Sequence, residues 1–186
     1  SDVYKRQRLV FTLSRYKFVA KMLSGLQQVV EIGCGDGSGS RIVKQEVENL
    51  TITDYDPYFI KRYHEISDPD WPVQAKVHDI LSGPLPEKYN AVYSLDVMEH
   101  ISSDLEDNYL NHIVASLEEN GVAIIGMPSL ESQSYASPAS KDGHINCKSG
   151  KDFRETLSPY FKNIFLFSMN DEVVHTGFDK MAHYLI

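Results

Sequence analysis

The sequence predicts an α/β fold, a mostly parallel sheet covered by helices on both faces, and three observations predict it. Apolar β-forming runs alternate strictly with helical or loop segments from residue 29 to residue 128. The first run, Val29-Val30-Glu31-Ile32, passes directly into Gly33-Cys34-Gly35-Asp36-Gly37-Ser38-Gly39 and then into a helical stretch from Ser40 to Val47. A second run, Leu50-Thr51-Ile52-Thr53, ends on Asp54, 21 positions past Gly33. A strand, a glycine turn that lets backbone approach a ligand closely, and a helix start carrying unpaired N–H groups suit a nucleotide-like ligand at the carboxyl end of a parallel sheet.

The elements follow in order. Asp2-Val3-Tyr4-Lys5-Arg6-Gln7 matches the translation of a transposon end used in sequencing libraries. Residues 1–7 are therefore set aside as an artefact, and a single domain is expected over residues 8–186. Leu9, Leu13, Tyr16, Ala20 and Leu23 mark one face of a helix that stops near Gly25. Asp56 and Pro57 open a helix after the second strand, the aspartate as cap and the proline at the first position. Val73 to Ile80 alternates and reads as a third strand ending at Asp79, and Ala91 to Asp96 as a fourth. Ser103 and Glu106 form a capping box for a helix with Leu110, Ile113, Val114 and Leu117 inward, closed by Asn120-Gly121. Val122 to Met127 is a buried fifth strand. Ser129 to Lys148 reads as a long loop facing the substrate. Ser149 caps a short helix carrying Phe153 and Leu157, and strands follow over Asn163–Ser168 and Met181–Ile186.

Composition narrows the function. At 186 residues the chain holds one good core, and a net charge of −8 disfavours nucleic acid as a partner, which needs a basic face. Two cysteines, Cys34 and Cys147, give no disulfide framework and point to a reducing cytoplasm. No apolar run is long enough to span a bilayer, so no membrane partner is expected. Oligomeric state is left open.

Gly33 does not begin a dinucleotide fingerprint, because position 38 is serine. The pattern Glu31-Ile32-Gly33-Cys34-Gly35-Asp36-Gly37, with Asp54, Asp79 and the Ser94–Ile101 segment behind it, instead resembles the successive motifs of class I S-adenosylmethionine (SAM) methyltransferases. That resemblance implies a three-layer sandwich with a seven-stranded sheet whose last strand is antiparallel, and two strands after the fifth fit it. It also implies SAM as cofactor. Glu31, Gly33, Cys34, Gly35, Asp36 and Gly37 would line its methionine end, with Asp54 and Tyr55 at the ribose, Asp79 and Ile80 at adenine, and Leu95 touching the cofactor.

Asp96, Glu99 and His100 fall at i, i+3 and i+4, one side of a helical turn. Asp96-Val97-Met98-Glu99-His100 is similar to the acidic-x-x-Glu-His signature of ubiquinone-pathway O-methyltransferases and of small-RNA 2′-O-methyltransferases. In the RNA group such residues, with a further histidine after the fifth strand, hold a divalent metal; His144 is the candidate here, and position 96 departs by being Asp rather than Glu. A carboxylate pair with two imidazoles suits Mg²⁺, Mn²⁺ or Zn²⁺. The same pair also occurs in many class I enzymes without metal, where His100 would act as base. His100 and His144 are thus the catalytic candidates, and His175 and His183 read as structural. The leading expectation is methyl transfer from SAM to a small or medium acceptor at oxygen. A metal-assisted RNA 2′-O-methyltransferase, whose basic cluster would be Lys141, Lys148, Lys151 and Arg154, and a non-catalytic SAM- or partner-binding module are the alternatives.

Overall fold

The computed structural model describes residues 2–170 and 173–186. Helix α1 (Asp2–Met22) precedes β1 (Gln28–Ile32), α2 (Ser40–Lys44), β2 (Asn49–Asp54), α3 (Pro57–Ile66), β3 (Gln74–Val77) and β4 (Tyr89–Leu95). A 3-10 turn at Met98–His100 leads to α4 (Glu106–Ser116), β5 (Leu117–Pro128), α5 (Pro138–Gly143), α6 (Gly150–Leu157), β6 (Ser168–Asn170), β7 (Val173–His175) and β8 (Tyr184–Leu185). These strands form one sheet in the order β3-β2-β1-β4-β5-β8-β6-β7. The first five are mutually parallel, and β8, β6 and β7 add antiparallel pairs.

Both faces are covered, which explains why the central strands carry almost unbroken apolar runs. Val30, Ile32 and Val92 point to one side and pack with Leu110, Ile113 and Phe153 from α4 and α6. Val29, Ala91, Tyr93 and Leu95, one residue out of phase, pack with Val19, Val43 and Ile60 from α1, α2 and α3. The α/β class and sheet therefore stand, with one correction: among the described residues the sheet has eight strands rather than seven. The addition is β7, which folds back on β6 through Ser168↔His175 and Asn170↔Val173.

Other boundaries move for identifiable reasons. In α1, Leu9 is exposed while Val19, Ala20 and Leu23 reach full burial, so the helix packs through its second half. Helix α1 runs into the tract set aside as an artefact, and Ser1 lies outside the described residues. Ser103 caps nothing; α4 opens at Glu106, whose carboxylate is held by Lys148 and Asn146 instead of closing a capping box. Nor does Asn120-Gly121 end that helix, because Leu117 already pairs with Tyr89 and residues 117–121 form an irregular entry to β5. The Asn163–Ser168 run enters the sheet only at Ser168, although Phe167 and Ile186 still exchange two backbone hydrogen bonds. The Ser129–Lys148 stretch is not bare loop: it holds a 3-10 turn at Glu131–Tyr135 and α5. Asp56 caps α3 as expected, accepting from the Tyr58 N–H, and Ser149 caps α6.

Candidate functional site

The carboxyl ends of β1, β2, β3 and β4 carry the candidate residues. The glycine loop leaves β1 with Gly33, Gly35 and Gly37 all in the left-handed region. At Gly33 a Cβ would collide with Val97, so glycine is required there by space as well as by conformation. At Gly35 the space beyond the backbone is open, the place where a ligand can lie against the main chain.

Most of the loop's amides are spent on the protein, while those of Asp36 and Gly39, and that of Arg41 at the start of α2, have no protein acceptor. Gly33 and Cys34 donate to the Thr53 carbonyl at 2.8 and 3.0 Å, Gly37 to the Cys34 carbonyl, Ser38 to the Asp36 carboxylate and Ser40 to the Gly37 carbonyl. Gly35 donates to Asp54 Oδ2 at 2.9 Å. The helix start thus keeps unpaired N–H groups, on Gly39 and Arg41, as expected.

Asp54 is nearly fully buried at the end of β2, with Oδ1 accepting from the Asp56 N–H and Oδ2 from Gly35. Each oxygen keeps a further lone pair for a hydroxyl. Tyr55 beside it is exposed. Past β3, Asp79 is exposed, its Oδ1 accepting from the Leu81 N–H, and Ile80 is buried. Leu95 closes β4 as a buried side chain. Cys34 is buried beneath the loop, and burial, with Glu31 and Asp54 nearby, pushes its thiol far above the ordinary range. Both cysteines are free.

Glu31 is turned under the loop. Its carboxylate accepts from Tyr16 at 3.0 Å, from Tyr93 at 2.7 Å and from the Ser40 hydroxyl. Burial raises its pKa and the three hydroxyls pull the other way. What the structure shows is a brace joining α1, the start of α2 and β4.

The second cluster sits after β4. Asp96 has φ +57, and in the following 3-10 turn Glu99 and His100 swing toward His144 from the stretch after α5. Donor atoms of Glu99, His100 and His144 all lie within 4.8 Å of one another. Glu99 is wholly buried, and neither carboxylate oxygen has a hydrogen-bond partner. Burial first, then the Asp96 charge, pushes its pKa up to about 8. His100 Nδ1 meets the Gly143 carbonyl at 2.8 Å and His144 Nδ1 meets Gln133 Oε1 at 2.9 Å. Both partners only accept, so each Nδ1 carries the proton and each Nε2 offers a lone pair. Burial, and next His100, lower the His144 pKa, which favours the neutral ligand form. A carboxylate and two imidazole nitrogens converging on one point make a donor set for a divalent cation.

Asp96 is not part of that set. Its carboxylate is bound by Arg15, whose guanidinium lies over the Tyr184 ring at 3.8 Å and the Phe11 ring at 4.5 Å. The four-ligand expectation is corrected to three, because a cation from α1 already neutralises the fourth. Reading the chain alone missed Arg15, Gln133 and Tyr184, since their partners are remote in sequence and no local pattern announces them. His175 and His183 stay outside the cluster. Of the supposed basic cluster, Lys148 pairs with Glu106 and Lys151 with Glu155, while Arg154 and Lys141 donate to the Ile164 and Ser134 carbonyls and keep their charge.

Taken with the strand order, a glycine loop after β1 and carboxylates at the end of β2 and just past β3 define the class I methyltransferase architecture. Residues 4–160 match the family model described as a methyltransferase domain, and the chain belongs to that family, whose cofactor is SAM. No curated protein matches the chain by sequence. Among solved structures, the methyltransferase domain of bacterial CtHen1-C is similar at 13% identity and TM-score 0.73, over 94% of this chain and 95% of that one. The N-methyltransferase NodS from Bradyrhizobium japonicum WM9, in complex with S-adenosylhomocysteine, is similar at 16% identity and TM-score 0.66, over 98% and 83%. A SAM-dependent methyltransferase from Clostridium acetobutylicum ATCC 824 is similar at 16% identity and TM-score 0.57 over 62% of this chain, which spans 50% of that protein's length. Among the described residues, no helix is long and apolar enough to cross a membrane.

Proposed function

We propose that this chain transfers a methyl group from SAM to a hydroxyl oxygen of a small acceptor, with a divalent cation held by Glu99, His100 and His144. The observation that carries the reading is Glu99: a wholly buried carboxylate with two unpartnered oxygens, facing two imidazole nitrogens whose opposite edges are fixed by Gly143 and Gln133. A buried carboxylate left without partners costs stability, and cation binding supplies what it lacks.

SAM supplies an electrophilic methyl on a sulfonium, so the protein's task is alignment. The open face at Gly35 receives the methionine end, the free lone pairs of Asp54 take ribose hydroxyls, and Asp79 with the Ile80 backbone takes adenine. Buried Leu95 walls the cleft, with Gly33, Cys34, Asp36, Gly37 and Tyr55 around it. A cation on Glu99, His100 and His144 would polarise an acceptor hydroxyl and lower its pKa. The three side chains hold that charge near the end of β4. The net charge of −8 and the ion pairs of Lys148 and Lys151 support a small acceptor over a long RNA.

Calorimetric titration with SAM and with S-adenosylhomocysteine, in EDTA and with Mn²⁺, tests this. The expected result is micromolar binding of both cofactors, with Mn²⁺ binding that His100→Ala and His144→Ala abolish while cofactor binding survives. A folded protein that binds neither cofactor would point to a partner-binding module. Salt-sensitive capture of an RNA oligonucleotide would restore the polymeric acceptor.

A further inference from the structure

We propose that His112 is a positioning residue that sets the preference for a 6-amino purine at the Asp79 end of the cleft. The inference rests on the reading of Asp79 and Ile80 as the adenine contacts, and it concerns what holds them. The segment after β3 leaves the sheet at His78 and turns over Asp79–Ser82, outside any helix or strand ladder. The turn closes on itself through the Asp79 carbonyl, which accepts from the Ser82 N–H at 3.0 Å and the Ser82 hydroxyl at 2.7 Å, but those bonds hold the Asp79 backbone and not its carboxylate.

The peptide unit between Ile80 and Leu81 orients the carboxylate from both ends. Its N–H, on Leu81, donates to Asp79 Oδ1 at 2.9 Å. Its carbonyl, on Ile80, is met at 2.6 Å by His112 Nδ1 from the middle of α4. A carbonyl only accepts, so His112 Nδ1 carries the proton. With the carbonyl end pinned, the peptide plane cannot rotate, and the N–H at its other end keeps Oδ1 occupied. Oδ2 is left as the oxygen that faces a ligand. A carboxylate oxygen accepts from a 6-amino group and repels a 6-oxo group, so fixing Oδ2 is fixing a choice between purines.

Helix α4 is itself tied to the far side of the same loop. Ser116, one turn past His112, donates to the His112 carbonyl at 2.7 Å and its Oγ accepts from the Leu85 N–H at 2.9 Å. His78 Nε2 meets the Gly83 carbonyl at 3.0 Å, closing the loop on itself. The loop therefore moves with α4, and His112 is the contact that transmits the helix's position to Asp79.

The test compares S-adenosylhomocysteine with its 6-oxo analogue S-inosylhomocysteine, titrated calorimetrically into wild type, His112→Leu, His112→Asn and Asp79→Ala. Wild type should favour the amino ligand. His112→Leu should weaken the amino ligand about tenfold, as for one lost charge-orienting hydrogen bond, and leave the oxo ligand within about twofold. His112→Asn, whose amide nitrogen stands near the place of Nδ1, should restore the preference. A His112→Leu protein that keeps the preference, or weakens both ligands alike, overturns the proposal, as does an asparagine variant that fails to restore it. Should the leucine variant not fold, asparagine against glutamine, whose donor sits one bond too far, carries the same comparison. A preference that survives Asp79→Ala, or is missing from wild type, overturns the adenine reading itself and His112 with it.

Discussion

Two glutamates lie at the heart of this molecule, both buried from solvent, and they are in opposite states. Glu31, in β1, has three hydroxyl donors from Tyr16, Ser40 and Tyr93. Glu99, just past β4, has no hydrogen-bond partner for either carboxylate oxygen. Both are raised in pKa by burial, but around Glu31 the donors oppose that push, whereas around Glu99 the Asp96 charge adds to it. A carboxylate with all its partners inside the chain is a completed piece of structure. One with none, set against two correctly tautomerised imidazoles, is a place where something else belongs. The contrast separates the cofactor half of the cleft, where the protein has largely satisfied itself, from the half where acceptor chemistry is expected.

Removing Glu31 should give the largest effect on stability. Glu31→Ala leaves three hydroxyls without their acceptor, two of them on the buried residues Ser40 and Tyr93, and should cost about 2–4 kcal/mol in denaturant unfolding. A loss below about 1 kcal/mol would show that the hydroxyls find other acceptors, and that Glu31 is free to serve the cofactor instead. Next comes Asp54, which belongs to both worlds: it staples Gly35 and Asp56 and has lone pairs to spare. Asp54→Ala should weaken S-adenosylhomocysteine by about 1–3 kcal/mol, read as a raised Kd. An unchanged Kd would place the ribose elsewhere, whatever happens to stability.

How much of this was legible beforehand follows the range over which each feature is determined. The parallel strands, the glycine loop, the acidic end of β2 and the Asp56 cap are local patterns, and each stands where reading the chain puts it, whereas β3 stops at Val77 and leaves Asp79 in the turn beyond it. The Ser103–Glu106 capping box was also a proper local pattern, yet Lys148 and Asn146 claim Glu106, so the helix opens elsewhere. Asp96 was grouped with Glu99 by spacing, but Arg15 reaches it from 81 positions away, and no interval in the sequence encodes that meeting. Glu31 was assigned to the cofactor because its motif is; its three hydroxyl partners come from α1, α2 and β4 and are visible only once those are assembled. Strand β7 escaped because three residues, Val173-Val174-His175, are too short a run for alternation to stand out.

The smallest expected effect is also the one that discriminates most sharply between the two glutamates. In metal-free protein Glu99 holds its proton up to about pH 8, against an ordinary value of 4.5. Between those values the native state binds more protons than the unfolded chain, so its stability is full at the acid end and declines as pH rises toward 8. Glu99→Gln keeps the shape without the ionisable proton and should flatten that decline. In EDTA at pH 8 the variant should melt higher than wild type, about 1 kcal/mol translating to roughly 2–4 °C for a chain of this length. Adding Mn²⁺ should reverse the order, raising the wild-type midpoint and leaving the variant where it was, because only the carboxylate can exchange its proton for a cation. Parallel pH profiles for the two proteins would mean that Glu99 finds a partner in solution and is a brace like Glu31. A variant stabilised in EDTA but equally responsive to Mn²⁺ would keep the cation and move it off Glu99, leaving His100 and His144 to be completed by Asp96 once Arg15 lets it go.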